Sequence, residues 1–164
     1  MSERRLGVVF DCNIFLQALV NPKGAAGACL ALVEAGAIDL YVSAQVLSEV
    51  AEVLIRPAVR RLVPSLTLEM IETFIENIRA IAICLWNVPE EYHFERDPKD
   101  EPYLNLAIVA NATYLVSRDN DLLDLMATQR PEAQNFRLRY PMLKILTAPA
   151  FLQEVHQRDL SISE

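Results

Sequence analysis

Five short runs of strand-forming residues, separated by stretches that favour helix, restrict the fold of this 164-residue chain more than anything else in it. Leu6–Phe10, Asp39–Val42, Ile81–Trp86, Thr113–Ser117 and Lys144–Leu146 each read as a strand. The first, Leu-Gly-Val-Val-Phe, is apolar throughout and leaves no side for solvent. Strands of this kind, alternating with helices, belong to a parallel sheet covered on both faces. The expected fold class is therefore α/β, a three-layer α/β/α sandwich around a mainly parallel sheet of about five strands. The length suits one domain, expected over residues 1–157, with a polar, frayed tail at 158–164.

Local signals place the helices. Asn13–Leu19 reads as a helix broken by Asn21-Pro-Lys-Gly24, and Ala25–Ala35 as a second, closed by Gly36 as its C-terminal cap. Ser43 caps a helix to about Ile55, which Arg56-Pro57 ends, and Thr67 caps another from Leu68 to Ile81. Residues 58–66 read as a basic connector, 87–97 as an acidic loop and 127–141 as irregular. Pro98 and Pro102 suit the first turn of a helix that runs on through Ala110. Leu122–Met126 is a short helix, and Thr147 caps the last one, through about Gln157.

The formal net charge of −7 argues against a sequence-specific DNA binder, which needs a basic face. It leaves room for an enzyme that sets divalent cations between its own acids and a phosphate. Arg56, Arg60 and Arg61, with Arg137 and Arg139, are candidate phosphate rests, against the plainer reading of solvated surface. No apolar run approaches the ~20 residues of a membrane span. The start of the chain lacks the apolar stretch of a signal peptide, and Cys12, Cys29 and Cys84 are scattered without a CxxC pair. The expectation is a cytoplasmic protein with free, buried thiols.

In open parallel sheets, sites form beyond the carboxyl ends of the strands. Asp11 and Asp119 stand at or just past the ends of two strands, and Glu49 and Asp100 come from helices beside them. At about 100° per residue, Asp100 shares a helix face with Tyr103, Leu104 and Ala107. A buried lone carboxylate is prohibitive, and no cation lies at helical spacing on that face, so a bound metal is the candidate partner. Glu49 lies at the edge of the apolar stripe of its helix, whereas Glu52 points away. Asp97 reads as a helix N-cap in preference to a ligand, Asp124 as solvated, and His93 and His156 as isolated residues in surface or satisfied roles.

These residues resemble the PIN-domain (PilT N-terminal) ribonucleases, in particular the toxins of toxin–antitoxin pairs. The resemblance rests on Val8-Val-Phe-Asp11-Cys12-Asn13, on Ser48-Glu49-Val50, on Asp100 followed by Ala107, and on Val116-Ser117-Arg118-Asp119-Asn120-Asp121-Leu122-Leu123. It spans residues 6–155 and departs from the family's pattern at Cys12, where a hydroxyl residue is usual, and at Ser117, where Thr is. It implies a metal-dependent endoribonuclease that cleaves single-stranded RNA to a 5′-phosphate and a 3′-hydroxyl. Asp11, Glu49, Asp100 and Asp119 would hold Mg²⁺ or Mn²⁺ or position water, Asp121 would be a further ligand, and Asn13 and Ser117 would support them. A small antitoxin and a homodimer, with no membrane, are the implied partners, and the neutral helices at 14–33 are a surface for either. Two rivals of other classes stand beside it. A haloacid-dehalogenase-type phosphatase needs a second Asp where Asn13 stands. A catalytically silent PIN-like module, binding RNA or protein, would pair its acids with cations instead of metal.

Overall fold

The computed structural model describes residues 5–162. Five parallel strands, β1 (Leu6–Phe10), β2 (Ile38–Ser43), β3 (Ile83–Leu85), β4 (Tyr114–Val116) and β5 (Lys144–Leu146), form one sheet in the order β3-β2-β1-β4-β5. Helices cover it on both sides, as the alternating pattern requires. Burial follows position in that order. Val8, Val9, Leu40, Val42 and the whole of β4 are sealed in the centre, whereas Ile83 on the β3 edge and Lys144 on the β5 edge meet solvent.

The connections are α1 (Cys12–Val20) and α2 (Ala25–Glu34) between β1 and β2, then α3 (Ala44–Leu54), α4 (Pro57–Leu62) and α5 (Leu68–Ile81) before β3. A 3₁₀ turn at Pro98–Asp100 leads into α6 (Glu101–Val109) before β4. Helices α7 (Asn120–Ala127) and α8 (Pro131–Arg139) precede β5, and α9 (Ala148–Ile162) follows it. Among the described residues no single helix is long and apolar enough to cross a membrane.

The expected caps are present. Ser43 Oγ accepts from the Val46 amide, Thr67 Oγ1 from Met70, and Thr147 Oγ1 from Ala150. Helices α2 and α6 end in the same way: the Ala37 amide donates to Leu32 O and the Ala112 amide to Ala107 O, around Gly36 (φ 74°) and Asn111 (φ 53°). This left-handed termination turns the chain sharply from each helix into the next strand. Gly27 is dictated by space, since a Cβ there would lie 2.0 Å from Pro22 O.

Four expectations need correction. The connector at 58–66 contains α4, which Pro57 starts by holding its first position in helical geometry. The irregular stretch 127–141 contains α8, whose apolar face is only Ala133 and Phe136, one turn apart and too narrow to show as a period. The third strand is shorter than expected, because Ile81 still belongs to α5. The last helix runs beyond Gln157 to Ile162; residues 163–164 of the expected tail lie outside the described residues.

Candidate metal centre

Strands β1 and β4 are neighbours, with Phe10 opposite Val116, so the residues that follow them emerge side by side. Asp11 is buried at the start of α1 and uses both carboxylate oxygens. Oδ1 accepts from the Ile14 amide as the helix N-cap, and Oδ2 accepts from the Ser117 hydroxyl. The same hydroxyl accepts from the Asp119 amide at 2.9 Å, so Ser117 ties the two strand ends together. Burial pushes the Asp11 carboxyl up from 3.8 to about 6, against the lowering effect of Ser117 and Ile14.

Asp119 caps α7, with Oδ1 accepting from the Asp121 amide at 2.8 Å. Asp97 caps the 3₁₀ turn in the same manner, by accepting from the Lys99 amide at 3.2 Å. Asp100 stands at the N-cap position of α6 yet makes no capping bond. Its Oδ2 is buried with no hydrogen-bond partner. Carboxylate oxygens of Asp97, Asp100 and Asp119 all lie within 4.8 Å of one another. Burial first, then Asp119, and then the charges of Asp97 and Asp11 hold the Asp100 carboxyl far above its ordinary range.

Glu49 and Asp11 stand outside that triplet and both act on the Tyr103 hydroxyl, while Asp11 also acts on Asp100 and interacts with Asp119. Glu49 is half-buried on α3, its carboxyl raised by burial and lowered by Tyr103, Arg56 and Lys99. The Tyr103 hydroxyl is buried among Cys12, Glu49 and Asp11 without a hydrogen bond of ordinary geometry. Burial, with Glu49 and Asp11 nearby, pushes the Cys12 thiol up to about 12, so it stays neutral. Asp121 goes elsewhere: its carboxylate pairs with Arg96 Nε at 2.8 Å. Asn13 is exposed on the first turn of α1.

Three features here were not read from the sequence. Asp97, read as a cap, is both a cap and a member of the triplet. The acidic loop that delivers it is fastened down by buried Asn105, the lone polar residue in the apolar face of α6. Asn105 Oδ1 accepts from the Glu91 and Tyr92 amides, and its Nδ2 donates to Tyr92 O. Arg96 adds a second fastening, to Asp124 at 2.8 Å as well as Asp121. Of the candidate phosphate rests, Arg137 donates to Leu125 O and Thr128 O at the end of α7, and Arg56 lies 3.6 Å from Glu52. His93 is exposed and contacts Glu101, and His156 is exposed. The cysteines are free, with Cys29 buried and the other two half-buried.

The donors are all oxygen, and Asp100 carries a buried carboxylate oxygen without a hydrogen bond. That set fits a hard divalent cation such as Mg²⁺ or Mn²⁺. Residues 7–121, most of the chain and all of these acids, match the PIN domain. The chain belongs to the PIN-domain family. It is also 26% identical over 156 residues, covering 94% of both chains, to an uncharacterized protein of Methanocaldococcus jannaschii. PIN domains are nucleases that generally use divalent metals, and the acidic triplet of this PIN domain is a possible site for one.

Proposed function

We propose that this PIN domain is a Mg²⁺- or Mn²⁺-dependent endoribonuclease that hydrolyses single-stranded RNA. The observation that carries the reading is Asp100 Oδ2, buried without a partner against Asp97 and Asp119. A carboxylate so placed is costly unless a cation joins it. Asp97, Asp100 and Asp119 would hold the ion, while Asp11 and Glu49, both near Tyr103, would orient the attacking water. When bound, the ion lowers the pKa of water and neutralises charge on phosphate oxygens. Water adds to phosphorus, the bond to the 3′-oxygen breaks, and the products carry a 5′-phosphate and a 3′-hydroxyl. Ser117 holds Asp11 and the Asp119 backbone in register, so the acids need not reorganise during the step. Asp121, held by Arg96, is left out of the ligand set.

The decisive assay is RNA cleavage in Mn²⁺ against EDTA. Asp11→Asn and Asp119→Asn should each lower the rate more than about a hundredfold, the upper range for loss of a mere outer-shell partner. Activity surviving in EDTA, or in both variants, overturns the reading.

The same proposal extends to a cytoplasmic toxin held in check by a small antitoxin, and to a homodimer. Its support is the resemblance to the toxin group and the apolar character of α1 and α2. Co-expression with a short neighbouring gene product should yield an inactive complex, and light scattering should give a dimer. A monomer from which no inhibitor is recovered would remove the toxin assignment and leave the nuclease.

A further inference from the structure

Trp86 is the chain's one tryptophan, and 74% of it is exposed. A large aromatic ring left in water is a poor use of apolar surface unless something covers it during function. Its place in the sheet says what. Trp86 follows Leu85, whose partner across the ladder is Ser43 at the end of β2, so it leaves the sheet at the carboxyl edge, where the acids gather. Strand β3 lies two strands from β1, which leads to Asp11, and three from β4, which leads to Asp119, about 10 and 14 Å at the usual spacing.

The ring borders two depressions. One, of about 360 Å³, is lined by Gln45 and Asn87, both exposed and neutral. The other, of about 290 Å³, runs between α3 and α5 to Ser48, the neighbour of Glu49. An aromatic face with uncharged amides at one rim, and Arg79 lining the second depression, thus lies at the same edge of the sheet as the proposed site of cleavage.

The charge of the protein favours such a surface. At a net charge of −7, the chain is poorly suited to hold a polyanion by phosphate contacts along its length. A divalent ion between Asp100 and Asp119 accounts for one phosphate only. Lys99 and Arg118, exposed beside Asp100 and Asp119, can meet neighbouring phosphates, and stacking of bases on an aromatic ring adds binding that needs no cation and little sequence preference. We propose that Trp86 is the platform on which a base of the single strand near the cleaved bond stacks, with Gln45 and Asn87 at the base edge. This rests on the ribonuclease reading and adds the reason for single strands: bases in a duplex are already stacked on each other and cannot rest on the ring.

The single tryptophan is its own reporter. In EDTA, short single-stranded RNA should quench the emission of the intact protein saturably, and a duplex of the same sequence should not. In Mn²⁺, Trp86→Ala should raise KM for single-stranded RNA about five- to hundredfold with kcat within about twofold, and Trp86→Phe should restore most of the loss. The side chain is mostly in solvent, so equal melting temperatures for the three proteins are expected and verify that the variants fold. If the parent cleaves RNA while its emission stays constant at saturating RNA and Trp86→Ala keeps the parental KM, the platform is refuted and the nuclease stands. Emission that responds only to a co-purified protein also refutes it, in favour of a protein contact. If the parent neither cleaves nor binds RNA, the nuclease reading fails and takes the platform with it.

Discussion

Asp100 and Asp119 bring carboxylate oxygens within 4.8 Å of each other from opposite ends of one helix–strand unit. Helix α6 starts at the carboxyl edge of the sheet with Asp100, and β4 brings the chain back to that edge just before Asp119. The unit returns to where it began, and two like charges meet because the fold closes the loop between them.

That meeting should be visible in thermal melts. Asp100→Asn keeps the shape and loses the charge, so the metal-free protein should be as stable as the parent or more so. Metal bound only to the folded state adds RT ln(1 + [L]/Kd), about 2.7 kcal/mol at a hundredfold excess over Kd. The variant should lose most of that Mn²⁺-induced shift. A shift of parental size would take Asp100 out of the site.

Asp97 does two things that one substitution separates. Asn caps a turn as well as Asp does, so Asp97→Asn should cost little stability in EDTA, whereas Asp97→Ala should cost about 1 kcal/mol through the lost cap. Both should weaken Mn²⁺ binding measured by calorimetry. Parental affinity in Asp97→Asn would return Asp97 to a capping role alone.

Acidity should act with opposite signs on the two forms of the protein. Asp11 is raised from 3.8 to about 6, and Asp100 is raised further. A raised carboxyl contributes stability that is complete below the unfolded value and is lost as pH rises through the folded one. Denaturant melts in EDTA should therefore show stability falling as pH rises above about 4, with the share of Asp11 spent by about pH 6 and that of Asp100 still falling above it. Saturating Mn²⁺ should oppose that trend, because the metal takes the ionised form. A metal-free protein that gains stability over the same range would contradict the arrangement of these acids.

Asn105 is the fastening of the acidic loop. Asn105→Leu leaves the Glu91 and Tyr92 amides and the Tyr92 carbonyl without their side-chain partner, at a cost of about 2–3 kcal/mol. Because the loop carries Asp97, metal affinity should fall as well, although Asn105 touches no ligand oxygen. Urea titration measures the first effect and calorimetry the second; a variant as stable as the parent would show that water replaces Asn105 without loss.

Much of the fold was legible because its signals are local. Consecutive apolar residues in Leu6–Phe10 can only be a strand buried on both sides, and Ser43, Thr67 and Gly36 mark helix ends by chemistry that works within a few residues. Four acids at the ends of strands and helices followed from that order. What stayed hidden depended on contacts between distant segments. Asp119 and Asp121 lie two residues apart with the same side chain, yet Arg96, from a loop before α6, captures Asp121 and leaves Asp119 facing Asp100. Asp97 read as a cap because capping is local; its carboxylate meets Asp119 only after Asn105 and Arg96 have fixed the loop. The sequence determined which residue types stand at the sheet's edge. The tertiary structure decided which of them meet, because a carboxylate takes its role from whichever charge or hydrogen bond packing brings to it.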